Sequence, residues 1–350
     1  MSNKRLSKED GIRLFAQGNL LKIGQHALDA RNRMADPHTV TYIIDRNINY
    51  TNICISGCSF CAFWRSQKDE SNYLLDKRTI FNKIKEAIKL GATQILMQGG
   101  LHPTLKLNYY TELLKSIKAK FNIHIHSFSP PEIIHIAKVS KLHSREVLQA
   151  LMESGLDSLP GGGAEILVDR VRKRLSPNKC TSDEWLNVMR ESHKLGLRTT
   201  ATMMFGHIET PKDRIEHLIK IRKLQDETGG FTAFIPWTYQ PQNTRPVRNK
   251  FLNRSRLGGT GSGGSDYFKT LAISRLMLDN IPNIQASWVT QGPKIGQLAL
   301  FFGANDLGSI MIEENVVRSA GTSYTMTKEE IVRLIKDAGF KPKQRRTSEY

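Results

Sequence analysis

Three cysteines stand within eight residues, Cys54-Ile55-Ser56-Gly57-Cys58-Ser59-Phe60-Cys61, separated by three and then two positions. On a compact loop this spacing can turn three thiolates toward one centre, and soft thiolates suit an iron–sulfur cluster or zinc. A closed structural zinc site wants a fourth ligand nearby, yet the remaining cysteine, Cys180, lies more than a hundred residues further on. Three ligands leave one iron of a four-iron cluster open to a substrate or cofactor. The alternative is a set of buried apolar cysteines, which protein cores accommodate. Cys180 stands by a helix start without companions, so no catalytic part and no auxiliary cluster is assigned to it.

A chain of 350 residues can hold one large domain with appendages or two modest ones. No apolar run reaches the length of a membrane span, and the charged start from Met1 to Asp10 does not read as a secretory signal. Four cysteines make no disulfide scaffold, and a thiolate cluster needs a reducing compartment, so a cytoplasmic protein is expected. Lys and Arg number 51 against 33 Asp and Glu, a net charge of +18. Such an excess suits an anionic substrate, nucleic acid or simply a basic surface. The basic residues are scattered, with only Lys341 to Arg346 tightly clustered, and no aromatic platform is interleaved with them. Nucleic-acid binding is therefore not expected.

The elements that must position the cysteines follow an alternating rhythm. Residues 4–35 read as helices, and the β-branched and aromatic run Thr39 to Asn49 reads as a strand leading straight into the cysteine loop. Helices are predicted over 76–90, 109–120, 145–153, 181–193, 214–225, 267–279 and 294–302, with strands over 94–97, 123–128, 158–159, 199–205, 232–236, 284–288 and 306–311. About eight strands separated by helices require a parallel (β/α) architecture, since parallel strands need long crossovers. Polar and glycine residues gather after these strands, at Cys54, Gly99, Ser129, Gly161, Gly206 and Trp237. That placement favours a closed (β/α)8 barrel of the TIM type, with its active face at the C-terminal ends of the strands. The expected organisation is a helical extension over 1–38, the barrel over 39–322, and a C-terminal helix with a mobile basic tail over 323–350. The Gly-rich stretch Gly258 to Gly264 reads as a flexible connection, placed where it could cover the site; it lacks the Gly-Lys-Ser/Thr of a phosphate loop.

The motif Cys54-x-x-x-Cys58-x-Phe60-Cys61 after a first strand resembles the signature of radical S-adenosylmethionine enzymes. Further stretches carry the likeness along the chain: Gln98-Gly99-Gly100-Leu101-His102-Pro103, His126-Ser127-Phe128-Ser129-Pro130, Leu159-Pro160-Gly161-Gly162-Gly163-Ala164-Glu165, Met204-Phe205-Gly206-His207-Ile208-Glu209, and Gln285 to Lys294. They resemble the branch that contains aminofutalosine synthases, dehypoxanthine futalosine cyclases and deazaflavin-precursor synthases, and the last stretches are most similar to the cyclases. The resemblance implies one [4Fe–4S] cluster on Cys54, Cys58 and Cys61, with S-adenosylmethionine on its open iron. It also implies a reduced flavodoxin or ferredoxin as electron donor, and a small anionic, nucleoside-like substrate. In a cyclase of this kind a 5′-deoxyadenosyl radical takes hydrogen from the ribose C4′, the carbon radical attacks the benzoate ring, and loss of a proton and an electron restores aromaticity. An aminofutalosine synthase would instead add the adenosyl radical to an alkene.

Within that expectation Gly99 and Gly100 resemble the backbone contact to the methionyl amine, and Glu165 a contact to S-adenosylmethionine. Phe60, between two ligands, could pack on the cluster or adenine, or simply belong to the core. Arg190 is a candidate for a carboxylate contact, against the solvated helix face usual for such a residue. His102, His207 and Glu209 follow strands and are the candidates for the base that accepts the ring proton. Tyr239, Gln240 and Ser287 are candidate substrate hydrogen-bonding groups. His124 and His126 share one strand face and read as interior histidines with satisfied hydrogen bonds.

Overall fold

The computed structural model describes residues 5–244 and 262–346; most of the predicted Gly258–Gly264 connection lies outside the described residues. Ten strands are present among them: β1 (Thr39–Ile43), β2 (Asp45–Ile48), β3 (Gln94–Met97), β4 (His124–Ser127), β5 (Ser158–Leu159), β6 (Arg198–Phe205), β7 (Phe231–Thr238), β8 (Asn283–Ile284), β9 (Asp306–Ser309) and β10 (Lys341–Gln344). Strands β2 to β8 pair in chain order, all parallel, and β1 sits between β10 and β9 in a second sheet. The two sheets are one wall. β1 and β2 are halves of a single run broken at Ile44, and β8 meets β9 through Asn305 N–H to Ile284 O (3.1 Å) and Ala286 N–H to Asp306 O (2.9 Å). The ring therefore closes as the predicted parallel barrel, the split strand plus seven others.

The helices are α1 (Lys8–Gln17), α2 (Leu20–Met34), α3 (Lys77–Lys89), α4 (Leu107–Lys118), α5 (Pro130–Ser140), α6 (Ser144–Glu153), α7 (Asp169–Leu175), α8 (Ser182–Lys194), α9 (Pro211–Thr228) and α10 (Gly264–Met277), followed by shorter turns and a final helix, Lys328–Asp337. Capping boxes start several of them, Thr181 with Glu184 at α8 and Thr210 with Asp213 at α9; each meets backbone N–H groups left without a partner inside the helix. Sequence periodicity missed α5. Its residues Pro131, Glu132, Ile133, His135, Ile136 and Ala137 are all buried, so no polar face marks the helical period.

Two expectations about the edges change. The strand predicted over 284–288 ends at Ile284, and Trp288–Gln291 is a helical turn. More consequentially, the basic tail expected to be mobile forms β10, paired with β1 from Thr39↔Lys341 to Tyr42↔Gln344. Arg345 continues it, its N–H donating to Tyr42 O at 2.9 Å and its Nε to Asp306 Oδ2 at 2.7 Å. Both side chains are buried, Asp306 fully. A cluster of cations that reads as solvated tail is thus anchored by backbone pairing, with a buried carboxylate receiving one of its charges.

Candidate active site

The cysteine loop is held from three sides by backbone hydrogen bonds. Cys54 N–H reaches Arg65 O (2.9 Å), Ile55 N–H reaches Leu101 O after β3 (3.1 Å), and Ser59 N–H reaches Leu175 O at the end of α7 (2.7 Å). Arg65 Nη1 collects the carbonyls of Ala62, Phe63 and Trp64 at 2.9, 3.2 and 3.0 Å, fixing the turn after Cys61. The loop sits so close to the β3 end that a Cβ on Gly100 would lie 2.2 Å from Ile53 O and 2.8 Å from Cys54 Cβ. Glycine is required there by contact, which explains the pair Gly99-Gly100 whatever else it binds.

All three thiols are free of disulfides. Burial, reinforced by Cys58, pushes the Cys61 thiol up to about 11, and burial raises Cys54 as well. Among the described residues no three His, Cys, Asp or Glu side chains converge tightly enough for a single metal ion. Three soft donors on one anchored loop suit the corners of a multi-iron cluster.

A cationic group stands beside them that the sequence did not single out. Lys179 Nζ lies 2.7 Å from Glu165 Oε1 and 5.4 Å from the centre of the Phe60 ring. Burial opposes its charge, but Glu165 and then Cys58 outweigh burial and hold the ammonium above the usual lysine range. Glu165 has a left-handed backbone, φ 44°, a costly conformation for a residue with a side chain. That backbone brings its carboxylate to Lys179 and to the barrel interior. Phe60, Glu165, Gly99 and Gly100 are therefore gathered near the cysteines.

Gly99 has a second support. Its N–H donates to Glu132 Oε1 (3.0 Å), a carboxyl also reached by Tyr50 Oη (2.7 Å) and Ser129 Oγ (2.6 Å). Burial pushes Glu132 up to about 7, against these hydrogen bonds. The signal for it was the Ser129-Pro130-Pro131-Glu132 helix start, hidden because α5 itself was not legible.

Inside the barrel lies a chamber of about 300 Å³. Alternate residues of the strands face it: Asp45 and Asn47; Gln94, Leu96 and Gln98; Thr200 and Thr202; Ile235 and Trp237, as period two dictates. Glycines 161 to 163, Glu165, Ser287 and Thr290 also line it, as do Glu314 and Arg345. Arg345 with Asp306 thus contributes to a wall of the chamber. No helix among the described residues is long and apolar enough to cross a membrane.

The other predicted residues divide. Ser287 lines the chamber, its hydroxyl 2.9 Å from Thr290 Oγ1. Gln240 stands just behind, donating to Thr238 O and Oγ1 at 3.1 and 3.0 Å, and Tyr239 Oη is 3.0 Å from Thr244 Oγ1. His126 faces the chamber, but His124 Nε2 and His126 Nδ1 each lie 2.7 Å from the Ser158 hydroxyl. Burial drops His126 to about 3, leaving it neutral, the satisfied interior pair anticipated.

The base candidates do not line the chamber. Glu209 accepts from the N–H groups of Gly206 (2.7 Å) and His207 (2.9 Å) and from Arg214 Nε (2.9 Å). His207 Nε2 meets Met204 O at 3.0 Å, and Nδ1 lies 2.9 Å from Glu209; the two side chains are 2% and 1% exposed. Although burial acts against its charge, His207 and Arg214 keep Glu209 well below the usual carboxylate range. His102 is buried with its carbonyl 2.7 Å from His135 Nε2, and burial lowers its pKa. Glu209 and His207 are thus engaged with each other and with the loop after β6, while the His102 ring meets Thr104 through Nδ1 at 3.3 Å and stands outside the chamber's lining. Arg190 stands outside it as well. It lies two turns into α8, on the barrel's outer layer, with Nε 2.7 Å from Glu227; the helix descends away from the strand ends that carry the cysteines.

Residues 48–221 match the radical SAM superfamily, and residues 228–350 match the CofH/MqnC C-terminal region. The chain is 47% identical over 349 residues to a cyclic dehypoxanthine futalosine synthase of Halalkalibacterium halodurans, covering 99% of this chain and 92% of that one. It is 46% identical over 312 residues to a 5-amino-6-(D-ribitylamino)uracil–L-tyrosine 4-hydroxyphenyl transferase of Methanococcoides burtonii, covering 88% and 85%. Among solved structures, methylornithine synthase is similar at a TM-score of 0.70 and 20% identity, covering 98% and 95%, a likeness of fold alone.

Proposed function

The chain belongs to the radical S-adenosylmethionine superfamily, and we propose that within it this enzyme cyclises dehypoxanthine futalosine to cyclic dehypoxanthine futalosine in menaquinone synthesis. Its cofactors are one [4Fe–4S] cluster and S-adenosylmethionine. The observation that carries the proposal is the 47% identity to a futalosine cyclase along 99% of this chain. When bound, the cluster and S-adenosylmethionine supply the one-electron cleavage that starts radical chemistry.

The chain's own residues place and shield. Cys54, Cys58 and Cys61 would hold the cluster, and the Gly99-Gly100 backbone, stiffened by Glu132, and the Glu165–Lys179 pair would hold S-adenosylmethionine beside it. The chamber, walled by Ser287 and Thr290 on one side and Asn47 on another, would hold the substrate apart from water and stray hydrogen donors. A cytoplasmic setting and a reduced flavodoxin or ferredoxin as donor complete the reading.

A second reading has its own observation, the 46% identity to the hydroxyphenyl transferase. The two are separated by reconstituting the protein anaerobically with iron and sulfide, adding reductant and S-adenosylmethionine, and offering each substrate set. Free 5′-deoxyadenosine with a product two hydrogens lighter than dehypoxanthine futalosine is the expected result. Turnover of tyrosine with 5-amino-6-(D-ribitylamino)uracil, and none of dehypoxanthine futalosine, would replace it with the transferase.

A further inference from the structure

With His102, His207 and Glu209 absent from the chamber's lining, the carboxylates that do line it become the groups to weigh. Three of them line it: Asp45, Glu165 and Glu314. Glu165 is taken by Lys179. Asp45 lies deeper, bonded through Oδ2 to Gln94 at 2.9 Å, in a side chain only 4% exposed.

Glu314 differs in place and in partners. It follows β9 by five residues, at the C-terminal rim where the cysteine loop also begins. Its Oε1 accepts from the N–H groups of Val316 (2.7 Å) and Val317 (2.9 Å), and its Oε2 from Asn47 Nδ2 (3.0 Å). A carboxylate oxygen accepts about two hydrogen bonds, so Oε1 is filled and Oε2 keeps one site. No Lys or Arg among the described residues is within ion-pair distance of it; Arg46 and Lys83 go to Glu313 next door, at 2.6 and 2.7 Å. Burial, with Asp45 adding to it, raises its proton affinity above the usual carboxyl range. A held carboxyl facing a reaction chamber, with one open lone pair and no neutralising cation, is suited to move a proton.

We propose that Glu314 is the general base of the cyclisation, a proposal that rests on the substrate reading above. After the sugar-carbon radical bonds to the benzoate ring, the ring carries an unpaired electron and one tetrahedral C–H. That C–H bond breaks with its proton going to Glu314 Oε2 and its electron pair returning to the ring. The surplus electron leaves to a one-electron oxidant, an oxidised iron–sulfur or flavin carrier. One hydrogen atom has been lost at the sugar and one proton plus one electron at the ring, which accounts for a product two hydrogens lighter.

The test uses Glu314→Gln and Glu314→Asp in the reconstituted full chain, with substrate deuterated at C4′. Glu314→Gln should retain iron–sulfur absorption and a thermal midpoint no lower than that of the unmodified chain, and should still pass deuterium into 5′-deoxyadenosine. Its cyclic product should fall by about 100-fold or more, with part of the loss recovered in Glu314→Asp. Product formed within about threefold of the unmodified enzyme overturns the proposal, as does a loss of deuterium transfer equal to the loss of product, which would mark a binding role. If the unmodified enzyme leaves dehypoxanthine futalosine untouched, the substrate reading fails first and takes this role with it, a result distinct from either.

Discussion

Glu209 and Glu314 both follow a barrel strand, both are enclosed by protein, and both accept hydrogen bonds from two backbone N–H groups. They differ in what else is near. His207 lies 2.9 Å and Arg214 2.8 Å from Glu209, Arg214 also pairing Asp266 at 2.7 Å, and against burial these two hold the Glu209 carboxyl far down. Glu314 has an amide and a second carboxyl for company, and its pKa is held up. Burial alone makes a carboxylate expensive; the neighbouring charge decides whether it becomes structure or reagent.

The largest expected effect comes from breaking the first region. Arg214→Met removes the cation that Glu209 and Asp266 share, and should cost about 3–5 kcal/mol in denaturant unfolding. A loss near zero would mean that water reaches the pair. Next comes Arg345→Met, which strips the cation from buried Asp306 while leaving it the Thr41 hydroxyl and the Gly308 N–H. A loss of about 2–3 kcal/mol is expected, and proteolysis should newly attack the C-terminal strand.

The pH dependence sharpens the contrast because the two signs are opposite. For Glu209, with its folded pKa depressed, the stabilisation is present above the unfolded carboxyl range and is lost only as pH falls through the depressed value. For Glu314, with its folded pKa raised, stability declines as pH rises from the unfolded range through the raised value. Glu314→Gln should therefore gain thermal midpoint relative to the unmodified chain as pH is raised from about 4.5 toward neutrality, and differ little below. Asp45 shares the sign and is coupled to Glu314, so the difference reports Glu314 together with the relief of its repulsion with Asp45. The smallest effect is expected at Arg190→Ala, on the outer layer: unchanged midpoint and unchanged S-adenosylmethionine affinity. A weakened affinity there would restore the residue to the cofactor site.

Much of this was legible before any coordinates. The cysteine spacing, the alternation of strands and helices and the glycines at strand ends are local patterns, and local patterns report local constraints: a loop that must present three thiols, a crossover that must span a parallel pair, a backbone that must pass within van der Waals contact of another. Gly100 is such a case, since its lack of a side chain is demanded by Ile53 and Cys54 directly. Helix α5 was not legible because burial on every side erases the periodicity that betrays a helix.

By itself, then, the amino-acid sequence determined the parallel (β/α) class, the thiol triplet and the family. Only the tertiary structure decided which polar residues share the chamber. His207, Glu209 and Glu314 are equally polar and equally placed after strands in the chain, but Arg214, five residues beyond Glu209, neutralises one, while Asn47, brought from the far end of the barrel sequence, merely holds the other. The tail teaches the same lesson in reverse: Arg345 belongs to a basic run that reads as solvent-facing, and only the pairing of β10 with β1 carries it to Asp306. Charge state follows from neighbours in space, and those are set when the barrel closes.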